Sequence, residues 1–222
     1  MLWWALSIFF FWLGLREIYY GFIPRAGFDS PNDVISKPYV LTTFVIAAAF
    51  AYMPLRYWAF ERFLTEKAII LSESSKAHVH CNTVFDTMFD RQVFAAGHAQ
   101  IETGRIVFQH PWCGRLMDHL DHPEKMTREG VFSIQIFAHE AMHIRGERDE
   151  AKTDCQAIQR YARAAQLLGI TSTTLAKENG MFYYTQGYQD RAAIGGMTGQ
   201  YYSDQCAPGK ALDEKLPDST WN

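Results

Sequence analysis

The chain has 222 residues and a formal net charge of −3, with 21 Lys and Arg residues against 24 Asp and Glu residues. Because no long run of basic residues occurs, the composition excludes a nucleic acid as the partner. The length allows one compact domain with an appendage, or two very small domains, and a sizeable core.

Two apolar runs near the N-terminus predict a membrane anchor. The first, MLWWALSIFFFWLGL, carries no charge, and its apolar character resumes up to Phe22. The second, PYVLTTFVIAAAFAYMPL from Pro38 to Leu55, is also free of charge. As a helix it covers roughly 27 Å, close to the thickness of a hydrocarbon core. We therefore predict a transmembrane two-helix hairpin, with spans at about 1–22 and 38–58, in an anchor of residues 1–68.

Each run has an alternative interpretation. The first could be a cleaved signal peptide, but it has no basic n-region and no small-x-small cleavage site. The second could be a buried core helix, but Tyr52, Tyr57 and Trp58 flank it, and amphipathic aromatic residues favour the membrane interface. Both runs are therefore interpreted as membrane spans.

The cysteines indicate on which side of the membrane the soluble domain lies. The basic residues do not, because they are equal in number before and after the second helix. Cys81, Cys113, Cys155 and Cys206 all follow the anchor, and no C-x-x-C pair occurs among them. Two disulfides in an oxidising compartment suit this pattern, and buried free thiols are the alternative. We expect a multi-pass protein of the cell membrane with an extracytoplasmic soluble domain.

The soluble domain, residues 69–222, is predicted to be mainly α-helical with a small β-hairpin, an α+β arrangement. A polar helical stalk is expected over residues 60–76. The hairpin strands are Ala99–Ile101 and Arg105–Gln109, joined by a Glu-Thr-Gly turn. The last dozen residues contain Pro217 and many polar side chains, which predicts little order there.

Two consecutive helices follow the hairpin. Thr127 is a plausible N-cap for the first, which should end near Gly146. Its apolar residues recur at a spacing of three or four: Val131, Ile134, Ala138 and Met142. The second helix is predicted from about Asp149 to Leu168, with Gly169 as its stop.

The first of these helices carries the motif HEAMH within the stretch FAHEAMHIRGERDEAKTD. His139 and His143 are four residues apart, so their imidazoles project from the same face and can share one ion. Glu140 is one step further round the helix and can reach a water molecule. A zinc ion with three protein ligands activates water, and the glutamate then serves as general base and general acid. The motif predicts hydrolysis of peptide bonds.

Two neighbouring acids compete for the place of the third ligand. Asp149 completes a metzincin-like pattern, H-E-x-x-H-x-x-G-x-x-D, in which it replaces the usual third histidine. Glu150 and Asp154 instead form a gluzincin-like E-x-x-x-D pair, in which the glutamate binds zinc and the second acid orients a ligand histidine. We favour Glu150, because it shares a helix face with Asp154, whereas Asp149 lies about 100° away.

The elements that occur in order along this part of the chain are the hairpin with Gly97, Cys113, HEAMH, DEAKTDC and YYSDQC. With these elements, the chain resembles small bacterial H-E-x-x-H proteins of minimal gluzincin type over roughly residues 77 to 215. The resemblance implies a zincin-like domain with a β-hairpin and two metal-bearing helices. It also implies the disulfides Cys81–Cys113 and Cys155–Cys206. In zinc peptidases an edge strand pairs with the extended substrate, and Arg105–Gln109 is the candidate here.

The sequence therefore predicts a membrane-anchored zinc endopeptidase in which His139, His143 and Glu150 bind Zn²⁺, Glu140 is catalytic and Asp154 orients a ligand. A peptide or protein substrate and the membrane are the expected partners, and the anchor also allows a membrane protein partner. The alternative is a non-catalytic membrane-bound scaffold or assembly subunit with a stabilising zinc site, for which Cys155 is the only nearby fourth ligand.

The natural substrate and the residue that stabilises the transition state are left open by the sequence. A Tyr or His donor near the metal often has the second role. The candidates are Tyr201, Tyr202 and His110.

Overall fold

The computed structural model describes residues 2–22, 37–125, 127–190 and 196–221. The chain divides into two compact units, Met1–Phe60 and Glu61–Asn222, whereas the sequence placed the boundary after residue 68. The structure is mainly helical. Its α-helices are α1 (Leu2–Phe22), α2 (Lys37–Ser72), α3 (Val84–Phe89), α4 (Trp112–Asp121), α5 (Arg128–Arg145), α6 (Glu150–Gln159), α7 (Tyr161–Leu167) and α8 (Thr173–Phe182). The strands are β1 (His78–Cys81), β2 (Gly97–Gln100) and β3 (Arg105–Phe108), and α8 is followed by a π-helix (Tyr183–Tyr188) and a 3₁₀ helix (Gly196–Tyr201).

In the first unit, α1 packs antiparallel to the beginning of α2. The hydroxyl of Ser7 donates to the carbonyl of Ala47 at 2.9 Å. Further along α1, a Cβ on Gly14 would lie 2.9 Å from Oγ1 of Thr43, so this glycine permits close approach of the helices. The contacts move backwards along α2 as they move forwards along α1, which makes the pair antiparallel. The predicted loop of the hairpin, residues 23–36, lies outside the described residues.

Among the described helices, only α2 has the length and apolar composition needed to cross a membrane. It contains the predicted span 38–58 and continues through Pro54 to Ser72 as one helix. On α1, large apolar side chains including Trp4, Phe9 and Trp12 are exposed. An exposed apolar surface of this kind marks an interaction site, although the prediction of a second span at α1 stays a prediction.

The second unit begins with the last turns of α2. Their buried apolar side chains are Leu64, Ala68 and Leu71. Here Oγ1 of Thr65 accepts from the Val79 N–H at 2.9 Å, and the carboxylate of Glu61 accepts from the Cys81 N–H at 2.8 Å. The region is therefore helical, as predicted, but it belongs to the core of the unit and is not a polar stalk.

The described strands form one sheet in the order β1-β3-β2. Strand β2 pairs antiparallel with β3, which confirms the predicted hairpin with slightly different bounds. Strand β1, which the sequence analysis missed, pairs parallel with β3, so that His78 lies opposite Arg105. The prediction that β3 offers a free edge to a substrate is therefore wrong, because both of its sides are paired. The edge beside α5 belongs to β2.

Helix α5 lies at the centre of the second unit and has the predicted bounds. The side chain of Thr127 accepts from the Gly130 N–H at 3.1 Å and caps the helix. At the other end Gly146 has φ +118°, a left-handed conformation that a glycine adopts without strain. The predicted apolar face of α5 is fully buried: Val131, Ile134, Ala138 and Met142.

The second predicted helix is divided into α6 and α7 at Arg160, where φ is −97° and ψ is 5°. The guanidinium of Arg160 is almost fully buried and pairs with Glu214 at 2.5 Å. This ion pair connects the break to the C-terminal segment. A contact between residues that are distant in the sequence therefore stabilises the chain at the break.

Both disulfides are present with the pairing that the resemblance implied. Cys81–Cys113 joins β1 to α4, and Cys155–Cys206 joins α6 to the C-terminal segment. The expectation of little order at the C-terminus is wrong. The hydroxyl of Thr220 donates to the carbonyl of Ile158 at 2.6 Å, and Arg163 donates twice to Asp218 at 2.6 Å.

We expect removal of the second disulfide, by Cys155→Ser together with Cys206→Ser, to lower the free energy of unfolding by about 3–4 kcal/mol. The bridge joins residues 51 positions apart, so its loss frees a long loop in the unfolded chain. Denaturant unfolding of the full-length protein in mild detergent, followed by near-ultraviolet circular dichroism, measures the change. As a control, the native protein should show no titratable thiol before reduction, and four such thiols would contradict both bridges.

Candidate metal centre

Three ligand atoms from α5 and α6 converge in the second unit. Nε2 of His139 lies 3.1 Å from Nε2 of His143 and 3.1 Å from Oε2 of Glu150. Nε2 of His143 lies 3.4 Å from the same carboxylate oxygen. Across the described ranges, this is the one cluster of His, Cys, Asp or Glu side chains whose ligand atoms lie close enough together to hold a metal ion.

The spacing of these atoms fits a small divalent cation. Two ligands bound at 2.0–2.1 Å with a tetrahedral angle between them lie about 3.3–3.4 Å apart. The separations between the ligand atoms of His139, His143 and Glu150, 3.1 to 3.4 Å, are close to this value. Two imidazoles and a carboxylate suit zinc and also other divalent ions.

Hydrogen bonds on the far side of each imidazole point both Nε2 atoms toward the centre. Nδ1 of His139 lies 3.1 Å from Oδ1 of Asp154, and Nδ1 of His143 lies 2.8 Å from the carbonyl oxygen of Glu147. Because both partners are acceptors, each Nδ1 donates its proton to that partner, and each Nε2 is the nitrogen directed at the centre. The contact of Asp154 with a ligand histidine is the one that the sequence analysis predicted.

Asp154 is itself held by two donors. The side-chain amide of Gln135 donates to its Oδ1 at 3.0 Å, and the hydroxyl of Tyr183 donates to its Oδ2 at 3.1 Å. Neither donor was predicted from the sequence. Gln135 lies four residues before His139 on the same helix face, a spacing that could have indicated it. Tyr183 belongs to the distant π-helix, and no local pattern pointed to it.

The electrostatic environment of the cluster favours a cation. Burial lowers the pKa of His139, but its hydrogen bonds with Asp154 and Glu150 outweigh this effect and raise the pKa to about 10. Burial would raise the pKa of Glu150, but its hydrogen bonds with His139 and His143 lower the pKa to about 2. The carboxylates therefore stabilise positive charge at the point where the ligand atoms meet.

Glu140 lies beside the cluster and against strand β2. Its side chain is buried, and burial raises the pKa of its carboxyl group, an effect that His139 and His143 oppose. A Cβ on Gly97 would lie 3.4 Å from Cγ of Glu140 and 3.0 Å from Cγ2 of Ile136. Glycine at this position therefore allows β2 to lie directly against the part of α5 that carries Glu140.

A cleft of about 220 Å³ opens over His139 and Glu140. The segment from Phe94 to Gly97 forms part of its lining, as does Tyr201. The ring centroid of Tyr201 lies 5.6 Å from that of His139. Of the three candidates for the transition-state donor, Tyr201 lines the cleft. Tyr202 contacts Tyr188, and the backbone N–H of His110 donates to Thr87, both away from the cleft lining.

The short connection between the helices is stabilised by its own side chains. After Gly146, a carboxylate oxygen of Glu147 accepts from the N–H groups of Arg148 and Asp149 at 3.0 and 3.2 Å. The carboxylate of Asp149 then accepts from the Lys152 N–H at 2.8 Å and caps α6. Asp149, the competing third ligand, thus acts as a helix cap, and Glu150 on the first turn of α6 faces the histidines.

No protein-family model matches the chain, and no curated protein or solved structure matches it. The support for a function comes from the geometry of the site.

Alanine substitution of the two neighbouring acids should separate their roles. We expect Glu150→Ala to weaken zinc binding at least about tenfold, because only two protein ligands remain. We expect Asp149→Ala to bind added zinc as the wild type does and to lose about 1 kcal/mol of stability through the missing cap. Metal content by elemental analysis and thermal unfolding of both variants measure these effects. Full zinc retention by Glu150→Ala would contradict the assignment of the third ligand.

Replacing Asp154 by Asn should weaken zinc binding by about 10- to 100-fold, because the imidazole of His139 loses a charged acceptor. Competition with a chromophoric zinc indicator measures the affinity. Tyr183→Phe, which removes one donor to Asp154 and leaves the carboxylate in place, should have a smaller effect. Equal affinities for wild type and Asp154→Asn would show that Asp154 does not support the ligand.

Proposed function

We propose that this chain is a membrane-anchored, zinc-dependent endopeptidase. The observation that carries the proposal is the convergence of ligand atoms from His139, His143 and Glu150, together with an open cleft that His139 and the neighbouring Glu140 line. The side chains that hold a metal and the side chain that can move a proton thus belong to one site.

The ligand set supports a catalytic site over a stabilising one. His139, His143 and Glu150 would hold the ion, and zinc, when bound, supplies Lewis-acid activation of a water molecule. Stabilising zinc sites are closed by a fourth protein ligand. Cys155, the nearby candidate for that ligand, is bonded to Cys206 and is therefore not available. This arrangement argues against the scaffold alternative.

Glu140 has the role of proton carrier in the proposed reaction. It follows His139 directly in α5, and its side chain lines the same cleft. There the carboxylate accepts a proton from the attacking water and delivers it to the leaving amine, first as general base and then as general acid. A carboxylate in a buried, preorganised position is suited to both transfers.

The edge of β2 is the proposed binding site for the substrate backbone, in place of β3. The Gln109 N–H donates to the carbonyl of Ala96 at 3.0 Å, so these two residues form a hydrogen-bonded pair of the ladder. Hydrogen-bonded and non-hydrogen-bonded pairs alternate in an antiparallel ladder. The N–H and C=O groups of Gly97 and Ala99 therefore point away from β3. An extended peptide can add to this edge through main-chain hydrogen bonds. Because Gly97 lies against Glu140, such a peptide would pass close to the proton carrier.

We also propose that α1 and α2 both cross the membrane and that the second unit lies outside the cytoplasm. The antiparallel packing of the two helices and the exposed apolar side chains of α1 support two spans. Both disulfides belong to the second unit and are typical of an oxidising compartment.

The proposed reaction predicts that Glu140→Gln keeps the metal but loses at least about 100-fold in peptidase activity, because the amide cannot accept the proton. The measurement is cleavage of casein and of a peptide library by the full-length protein in mild detergent, with zinc content determined on the same samples.

Asp149→Asn is the matched control, because it also replaces an acid by its amide and keeps a good helix cap, so its activity should equal that of the wild type. A chelator should abolish activity, and added zinc should restore it. Activity that survives in Glu140→Gln or in the chelated wild type would contradict the proposed mechanism.

A further inference from the structure

An apolar patch is exposed on the segment between β1 and β2. Its members are Val84, Phe85, Met88 and Phe89 of α3, together with Phe94, and between 49 and 98% of each residue's surface is exposed. Within the described part of the second unit, Ile70 is the one other large apolar residue that is similarly exposed. Five such side chains within eleven residues form a concentrated surface feature of the kind that marks an interaction site.

The segment that carries the apolar patch is held in place by polar contacts at its base. Oδ2 of Asp90 accepts from Asn82 at 3.1 Å and lies 3.1 Å from Nε2 of His98. Thr83 and Asp86 form a capping box at the start of α3. The apolar side chains are therefore presented on a defined support, and the acidic groups of the segment are engaged by donors.

The direction of β1 determines which end of the second unit carries the apolar patch. Val79 bonds to Thr65 and Cys81 bonds to Glu61, so β1 runs back along α2 toward the first residue of the unit. Helix α3 begins three residues after Cys81. The patch thus lies at the end of the second unit that carries Glu61, the first residue of that unit. In the sequence, Glu61 follows the charge-free stretch ending at Leu55 by six residues.

We propose that the apolar patch inserts into the interfacial region of a lipid bilayer, so that the catalytic unit is docked on the membrane as well as tethered to it. The inference rests on the proposed insertion of α2. Burial of exposed apolar side chains at the boundary between headgroups and acyl chains is favourable, in proportion to the apolar area removed from water. The tether keeps the bilayer at a high effective concentration, so a small patch is sufficient.

A bound polypeptide fits the apolar patch less well than a bilayer. Phe94 lines the cleft, but the four members on α3 do not, so most of the patch lies away from the proposed path of a substrate. Because Phe94 belongs to both the patch and the cleft, docking would place the cleft beside the membrane surface. The substrates of the proposed peptidase would then be peptide segments that emerge from or lie on a bilayer.

Photocrosslinking in vesicles tests the proposal on the full-length chain. Phe89 or Met88 is replaced by the photoreactive residue benzoylphenylalanine, and the protein is reconstituted in phosphatidylcholine vesicles and irradiated. The control carries the same residue at Ile70, which is also exposed but lies nine residues beyond Glu61 on α2, about 13 Å along the helix. Intact mass measures the lipid adduct, and circular dichroism verifies that each variant folds.

We expect the lipid adduct at positions 88 and 89 to exceed that at position 70 by at least about fivefold, as interfacial insertion requires. Equal yields at all three positions in a protein that resists alkaline extraction would overturn the docking and leave the anchor intact. Crosslinks to a second protein chain at positions 88 and 89, in place of lipid, would also overturn it. Release of the protein by alkaline extraction would refute the insertion of α2 and the docking together, whereas the Glu140→Gln assay tests the peptidase independently.

Discussion

The candidate metal centre depends on the buried carboxylate of Asp154. A carboxylate that is only 1% exposed is costly unless donors surround it, and here Gln135, Tyr183 and His139 all contact it. Because Gln135 and His139 both belong to α5, their contacts determine how α6 lies along that helix. Glu150, one turn before Asp154, is then brought to Nε2 of His139. The same interaction therefore orients the first histidine and delivers the third ligand.

The C-terminal segment of the chain also supports this arrangement. The disulfide of Cys155, the residue after Asp154, connects α6 to the segment that follows Tyr201. The ion pair between Arg160 and Glu214 attaches the same segment to the break between α6 and α7. A ten-residue helix is only marginally stable in isolation. Tertiary contacts of this kind therefore hold α6 in place. A preorganised ligand set follows from these contacts.

Helix α2 gives the chain its second organising feature. Its apolar first part can cross a membrane, and its last turns belong to the core of the second unit, where Thr65 and Glu61 bind the backbone of β1. One continuous helix thus contributes to both units. The return of β1 along α2 brings α3 and its exposed apolar side chains to the end of the second unit that carries Glu61. The proposed endopeptidase would thereby act at a membrane surface.

The sequence by itself determined the features that depend on local periodicity and local caps. Helix α5 between Thr127 and Gly146 and the shared face of its histidines follow from spacings within one or two helical turns. The preference for Glu150 over Asp149 as third ligand rested on the helix face that Glu150 shares with Asp154. The tertiary structure decided which distant segments meet. The pairing of β1 with β3 left β2 as the edge strand beside α5, and Tyr183 reached Asp154 from another part of the chain. A side-chain pattern records which face of an element is buried, but it does not record which distant partner covers that face, because burial energy is non-directional.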